Sequence, residues 1–519
     1  MSTDRFLNHW AAGGAGLSRR ALLPEAGRSG SPGGGFPTVR ALLPEASGSG
    51  SPGGGFLTRR ALLRESACGF GYLGLAGLLG AAESSQAPNP LAPKAPHFAP
   101  RAKRVIFLFM HGGPSSIDTF DPKPRLIQDD GKPLPFARPL TFAEGRTGGL
   151  MKSPWAFRKY GQSGIEVSDL FPNVARCADE LCVVRSMVGD SVAHGGALLQ
   201  LHTGSNTFTR PSMGSWVVYG LGSDNQNLPG YITIKPSLAH GGAKNWSSSF
   251  LPAAYQGTAI GNAGVKIEDL AEPIEYLTNK GLTPEQQRYE LDMLQKMNRR
   301  HLLRREHDPE LEGRIQAFEL AFRMQTEAPE AFEIEKESEA TRKLYGLDRE
   351  ETRDFGWQCL MARRLAERGV RFIQCSHSYK WDQHSELVRL HTRNAREVDL
   401  PIAGLLQDLK SRGMLRDTLV LWGAEFGRTP VAQDGDGRDH NPYGYSLWMA
   451  GGGVKGGFVY GSTDEFGYYS VEDRMHVHDL HATILHLLGL DHTKLTHFYS
   501  GRNFRLTDVA GNVAHKILA

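Results

Sequence analysis

Histidines and carboxylates recur in this chain in short clusters, each near a run of apolar residues. After V-I-F-L-F-M at 105–110 comes His111-Gly112-Gly113-Pro114-Ser115-Ser116-Ile117-Asp118. Asp190-Ser191-Val192-Ala193-His194-Gly195-Gly196 leads into Leu201-His202-Thr203-Gly204. Trp381-Asp382-Gln383-His384, Glu425-Phe426-Gly427-Arg428, Gly437-Arg438-Asp439-His440, and finally His476, His478 and Asp479 complete the series. Imidazole nitrogens and carboxylate oxygens drawn from distant segments suit a site for one or two divalent cations. A nitrogen and oxygen donor set without thiolate points to Zn, Mn, Fe or Ca rather than to a structural zinc. Any one of these histidines is as readily a hydrogen-bonded core residue. The signal is their recurrence at separate strand ends. Gly112 and Gly113 would let the backbone approach a ligand closely.

The elements that must hold these groups are legible from apolar patterning. Val105–Met110 is a continuous apolar run closed by Gly112-Gly113-Pro114, as in a strand buried on both faces. Leu181–Val184, Val370–Cys375, Thr418–Trp422 and Ser446–Ala450 are further strands. Helices with Trp357, Leu360, Met361 and Leu365, or with Ile402, Leu405, Leu406 and Leu409, on one face precede two of them and stop at Gly369 and Gly413. A last helix turns Leu480, Ile484, Leu487 and Leu488 inward and ends at Gly489. Repeated helix-then-strand order predicts an α/β fold with a doubly wound, mostly parallel sheet and helices on both faces. Ligands bind such sheets beyond the carboxyl ends of the strands, where the polar clusters fall. Thr283-Pro284-Glu285-Gln286 is a capping-box helix start and opens a charged helical insertion over about 283–350.

The first hundred residues read differently. S-P-G-G-G-F-P-T-V-R-A-L-L-P-E-A from Ser31 repeats twenty residues later from Ser51, and a partial copy begins at Ser18. A Gly-, Ser- and Pro-rich tract of this kind over 1–57 cannot offset its ordering entropy and is expected to be disordered. Over 58–87, Thr58-Arg59-Arg60-Ala61-Leu62-Leu63, an apolar stretch from Ala67 to Ala82 and then Ser84, Ser85 and Pro88 are similar to a twin-arginine export signal. The apolar stretch is too short and Gly-rich for a stable membrane span. Residues 88–102 read as a linker and 103–519 as the folded domain. The expected location is therefore periplasmic or extracellular.

Fifty-nine basic and 56 acidic residues leave a formal charge of +3, which gives no reason to invoke nucleic acid. The five cysteines form no C-x-x-C pair, so neither a zinc knuckle nor a thioredoxin-like motif is supported. Gly69-Phe70-Gly71-Tyr72-Leu73-Gly74 fits G-x-G-x-x-G but follows no strand, and no dinucleotide is expected. The H-G-G at 111–113 is similar to the oxyanion loop of lipases, yet the chain has no G-x-S-x-G elbow.

Taken together, H-G-G-P-S-x-x-D-T-F-D-P-K-P, W-D-x-H, E-F-G-R-T-P and G-R-D-H-x-P resemble the uncharacterised bacterial family numbered 1501 among the domains of unknown function. That family is grouped with the alkaline phosphatase and sulfatase superfamily. The resemblance spans 101–519 and implies an alkaline-phosphatase-like sheet with a metal-dependent ester-hydrolysis ancestry. It implies that Asp382, His384 and His440 hold one divalent metal, with His478 a rival to His440. His111, with Asp118 nearby, stands where the superfamily has its first acidic ligand, and His111 and Glu425 would hold a second metal or act as acid/base groups. His194 falls at the nucleophile position, with Ser191 close enough to substitute. Arg428 or Arg438 would grip the oxyanion of a small-molecule or polysaccharide phosphate or sulfate ester. Three positions depart from the superfamily pattern: His111 for an acid, His194 for a hydroxyl or thiol nucleophile, and Phe426 for a histidine. The implied alternative is a non-catalytic member that keeps metal or ligand binding.

Overall fold

The computed structural model describes residues 89–139, 141, 147–267, 277, 279, 281–304 and 309–519. The repeat tract and the twin-arginine-like segment lie outside the described residues. In chain order the strands that matter are β1 (Arg104–Phe109), β2 (Thr147–Leu150), β3 (Leu181–Val188), β4 (Tyr231–Ile234), β5 (Thr258–Ile260) and β6 (Phe372–Ser376). They continue with β7 (Thr418–Gly423), β8 (Gly427–Gln433), β9 (Gly437–Asn441), β10 (Tyr445–Ala450), β11 (Phe458–Tyr460) and β12 (Met475–His476). The helices are α1 (His194–Thr203), α2 (Met213–Leu221), α3 (Pro284–Leu302), α4 (Pro309–Phe332), α5 (Glu350–Glu367), α6 (Leu387–Ser411) and α7 (Val477–Leu487).

The main sheet runs β11-β3-β10-β7-β1-β6-β4-β5, with β12 beside β3. β1 lies parallel between β7 and β6, and β4 is parallel to both β6 and β5. The fold is thus α/β with a mostly parallel sheet flanked by helices. β1 sits in its middle because every side chain from Val105 to Phe109 is buried, as a strand covered on both faces requires. The exception to parallel order is β10, antiparallel to β3 and β7. Its sequence matches a buried strand, but the chain enters it by a short turn at the carboxyl rim rather than through a crossover helix.

Three expectations change. Residues following β7, read only as polar clusters beyond a strand end, form β8 and β9 of a second, antiparallel sheet with β2, in which Arg428 lies opposite His440. Residues 89–102, expected as a linker, pack on the domain: Leu91 and Ala102 are buried in the core, and the Lys94 amide donates to Leu221 O at 2.9 Å. An apolar Leu in a Pro- and Ala-rich stretch is enough to anchor it. His476 caps α7: its ring accepts from the His478 amide while Asp479 accepts from the His476 amide.

The charged segment after Thr283 is helical, and Thr283 and Gln286 exchange the two hydrogen bonds of a capping box. Cys177, Cys182, Cys359 and Cys375 are buried thiols. Among the described residues no helix is long and apolar enough to cross a membrane.

Candidate metal centre

The carboxyl rim of the sheet gathers side chains from five segments. His111 follows β1, His194 is the first residue of α1, and Asp382 and His384 lie between β6 and α6. Glu425 and Phe426 join β7 to β8, and His440 sits on β9. Asp382 is the centre. Its Oδ1 is 3.0 Å from His384 Nε2, 3.1 Å from His440 Nε2, 3.2 Å from His194 Nε2 and 2.7 Å from Arg428 Nη2. His384 Nε2 and His440 Nε2 are themselves 3.1 Å apart.

These spacings decide what the group can hold. Donors about 2.1 Å from one cation and at right angles lie about 3.0 Å apart, whereas a tetrahedral cation spreads them to about 3.4 Å. Asp382 Oδ1, His384 Nε2 and His440 Nε2 are thus spaced closer to neighbouring ligands of a six-coordinate cation than of a tetrahedral one, and would supply a two-histidine, one-carboxylate set. The outer nitrogens are anchored, as metal-ligating imidazoles usually are. His384 Nδ1 meets Gln433 Oε1 at 2.6 Å, and His440 Nδ1 donates to Val192 O at 2.7 Å. Asp439 stands beside them, its Oδ1 3.9 Å from His384 Nδ1 and its Oδ2 held by Arg138.

A second group adjoins the first. His111, His194 and Glu425 bring one donor atom each within 4.8 Å of one another. Glu425 Oε1 takes His194 Nδ1 at 2.6 Å and the Gly112 amide at 3.0 Å. Glu425 Oε2 and His111 Nδ1 are buried without a hydrogen-bonding partner, and His194 Nε2, although near Asp382, is not aligned with it as a donor. Buried polar atoms left open in this way fit a cation the surrounding residues could hold.

Charge follows the geometry. Burial alone would raise the Asp382 pKa, but the close imidazole nitrogens of His194, His384 and His440, with the Arg428 charge, hold it far below the usual carboxylate range. Glu425 is likewise depressed to about 2, against burial, by His194 and the His111 charge. Burial lowers His111 and His440 to about 4. For His194 and His384 the same penalty is outweighed by hydrogen bonds to carboxylates, and both are raised. His384 differs from His440 because its side chain is 28% exposed and that of His440 is sealed.

Several expected residues stand elsewhere. Arg438 binds both Asp118 oxygens, at 2.7 and 3.2 Å, in a pair with no exposed surface, and gives its other donors to Thr429 O and Met151 O. Asp118 and Arg438 thus complete each other and leave nothing for a cation or a substrate. Arg428 is fully buried and donates to the carbonyls of Gly112, Gly113, Trp381 and Arg438 as well as to Asp382, so it braces the site instead of facing a ligand. Gly112 and Gly113, with φ of +115° and +82°, admit neighbouring chain rather than substrate: a Cβ on them would meet the Trp381–Asp382 backbone and the Phe426 ring. The Ser191 hydroxyl turns back onto Ala193 O at 3.0 Å. His478 donates to Gly204 O at 2.9 Å, apart from the cluster.

His240 and Tyr379 were not expected. His240 Nδ1 is 3.4 Å from His111 Nε2 and its ring stacks on His194 at 5.0 Å. The Tyr379 hydroxyl donates to Asp382 Oδ2 at 3.1 Å. Both carry positive φ, +52° and +45°, a backbone strain common where ligands bind. A sequence signal for His240 exists: H-G-G occurs at 111–113, 194–196 and 240–242, and the three histidines meet.

A family model matches residues 102–518. The chain belongs to the family described as Protein of unknown function (DUF1501). No curated protein matches this DUF1501 member. Among solved structures it is similar in outline to the PsFucS1 sulfatase from Pseudoalteromonas sp., at 14% identity over 75% of this chain and 68% of that one, with a TM-score of 0.32. The lipoteichoic acid synthase LtaP from Listeria monocytogenes shares 8% identity over 80% and 78% of the two chains, with a TM-score of 0.32. Alkaline phosphatase from the Antarctic bacterium TAB5 shares 12% over 76% and 99%, with a TM-score of 0.28.

Proposed function

We propose that this protein is an exported, divalent-metal-dependent hydrolase of phosphate or sulfate esters. The observation that carries the reading is the triangle of Asp382 Oδ1, His384 Nε2 and His440 Nε2, with sides of 3.0–3.1 Å. A cation held there, with a second held by His111 and Glu425, would supply Lewis acidity toward the anionic oxygens of the ester. The chain's own part centres on His194. Glu425 takes its Nδ1 proton and so fixes the tautomer in which the Nε2 lone pair faces the Asp382 pocket. That nitrogen serves as nucleophile or general base. Its place at the start of α1 puts the positive end of a helix beside charge that develops there. Half-exposed Tyr379 and His384 line the open side, through which a small-molecule or polysaccharide ester would enter. The twin-arginine-like segment at 58–87 supports export through the twin-arginine route.

A second reading is supported by Phe426, which packs 4.8 Å from the His194 ring and 4.4 Å from His440 where the superfamily pattern has a histidine. In that reading the protein binds metal and ligand without turnover. Metal analysis of the purified chain, with turnover of 4-nitrophenyl phosphate and 4-nitrophenyl sulfate, separates the two. Bound divalent metal with turnover that Asp382→Asn abolishes is expected. Metal without turnover of any ester favours the second reading, and absence of metal affinity sinks both.

A further inference from the structure

The helix opening at Thr283 carries an apolar stripe that the described residues leave uncovered. α3 buries Leu291 and Gln295 against its neighbour α4, where Gln295 Nε2 donates to Ile315 O at 2.8 Å. On the opposite face, one helical turn apart, stand Tyr289, Met293 and Met297, exposed by 73%, 60% and 62%. A surface helix ordinarily turns polar groups to that side. The net charge flanking the stripe changes sign along the helix: Glu285, Glu290 and Asp292 outweigh Arg288 in its first half, where Arg288 pairs with Asp292 and with Glu319 of α4, and Lys296, Arg299 and Arg300 lie in its second.

We propose that α3 pairs antiparallel with α3 of a second copy of this chain, about a two-fold axis through Met293. An isologous contact needs a patch complementary to itself, and this helix is. Inverting it about Met293 sets Tyr289 of one copy against Met297 of the other. Residues three and four apart share a helix face, so Glu285, Asp292, Lys296 and Arg300 fall on one flank of the stripe. Inversion lays Arg300 beside Glu285 of the second copy, while Asp292 stays paired with Arg288 of its own helix. An anionic bilayer would meet repulsion from the acidic half, and an unrelated acidic partner would too. The pairing is independent of the metal centre, which lies at the sheet rim.

The test is the mass of the full chain in solution by light scattering after size exclusion, at micromolar concentration. A dimer is expected. Met293→Asp, which sets two carboxylates against each other on the axis, should yield monomer with unchanged helix content by circular dichroism. Arg300→Glu alone, or Glu285→Arg alone, should weaken association about tenfold, and the two together should restore it. A monomeric parent chain overturns the proposal, as does a dimer indifferent to Met293→Asp. Recruitment of the parent chain to phosphatidylglycerol vesicles, lost in Met293→Asp while the chain stays monomeric, would replace it with a membrane contact.

Discussion

His194 Nδ1 lies 2.6 Å from Glu425 Oε1, and the same carboxylate oxygen accepts the Gly112 amide at 3.0 Å. One buried acid thereby ties the start of α1 to the turn after β1 and sets the orientation of the ring between the two donor groups. Glu425→Gln keeps an acceptor in place but loses the charge that stabilises a protonated His194. Ester turnover should fall about 10²–10⁴-fold, the usual worth of a general acid–base group, with the melting temperature little changed. Steady-state kinetics beside thermal melting would check it. Equal loss of both would mean that Glu425 acts through folding.

The metal triangle makes a separate claim. His384→Ala removes one donor from a side chain that is 28% exposed, so the cost to folding should be small. Bound metal, read by inductively coupled plasma mass spectrometry after dialysis, should drop by one equivalent per chain. His478→Ala should leave metal content as it was, since that ring is spent on Gly204 O.

Arg438 and Asp118 are both without exposed surface. Replacing Arg438 by Met leaves the Asp118 carboxylate buried and unpaired, which costs about 3–5 kcal/mol. The loss should appear in the urea midpoint. A folded Arg438→Met protein whose only defect is a raised KM would return Arg438 to the substrate-binding role its sequence context implies.

Gly112→Ala forces a Cβ into the Trp381–Asp382 backbone, 2.8 Å away, at a φ of +115°. Both effects push the Asp382 loop off the site. A destabilisation of at least about 2 kcal/mol in urea unfolding is expected, accompanied by weaker metal binding.

His391 and His481 are fully buried, and burial lowers both pKa values to about 3. Below the unfolded histidine pKa, near about 6.5, the unfolded chain binds protons that the folded chain refuses until about pH 3. Stability is therefore complete above that range and falls as the pH drops through it, by about 1.4 kcal/mol per pH unit for each histidine. Urea midpoints at pH 7 and pH 5 would show the slope. His481→Gln, which can still donate to Leu201 O, should flatten it by the share of one histidine, about 1.4 kcal/mol per pH unit.

The sequence by itself determined the main elements and which polar side chains gather at the strand ends. Continuous apolar runs such as 105–110 read as buried strands, glycines closed the helices, and clustered His and Asp marked the strand ends where nitrogen and oxygen donors gather. Even the grouping of Asp382, His384 and His440 followed from motif resemblance. Short segments escaped because four or fewer residues, as in β4 and β5, carry little periodicity. Tertiary structure alone decided which polar groups are free to act. Arg428 and Asp118 have the right chemistry for a site, yet each is exhausted by partners hundreds of residues away. His240 has no strand of the expected kind before it and joins the cluster only because β4 packs beside β6. Availability of a donor atom depends on what the rest of the fold leaves unpaired around it, and that is a property of packing across the whole domain, which local spacing does not encode.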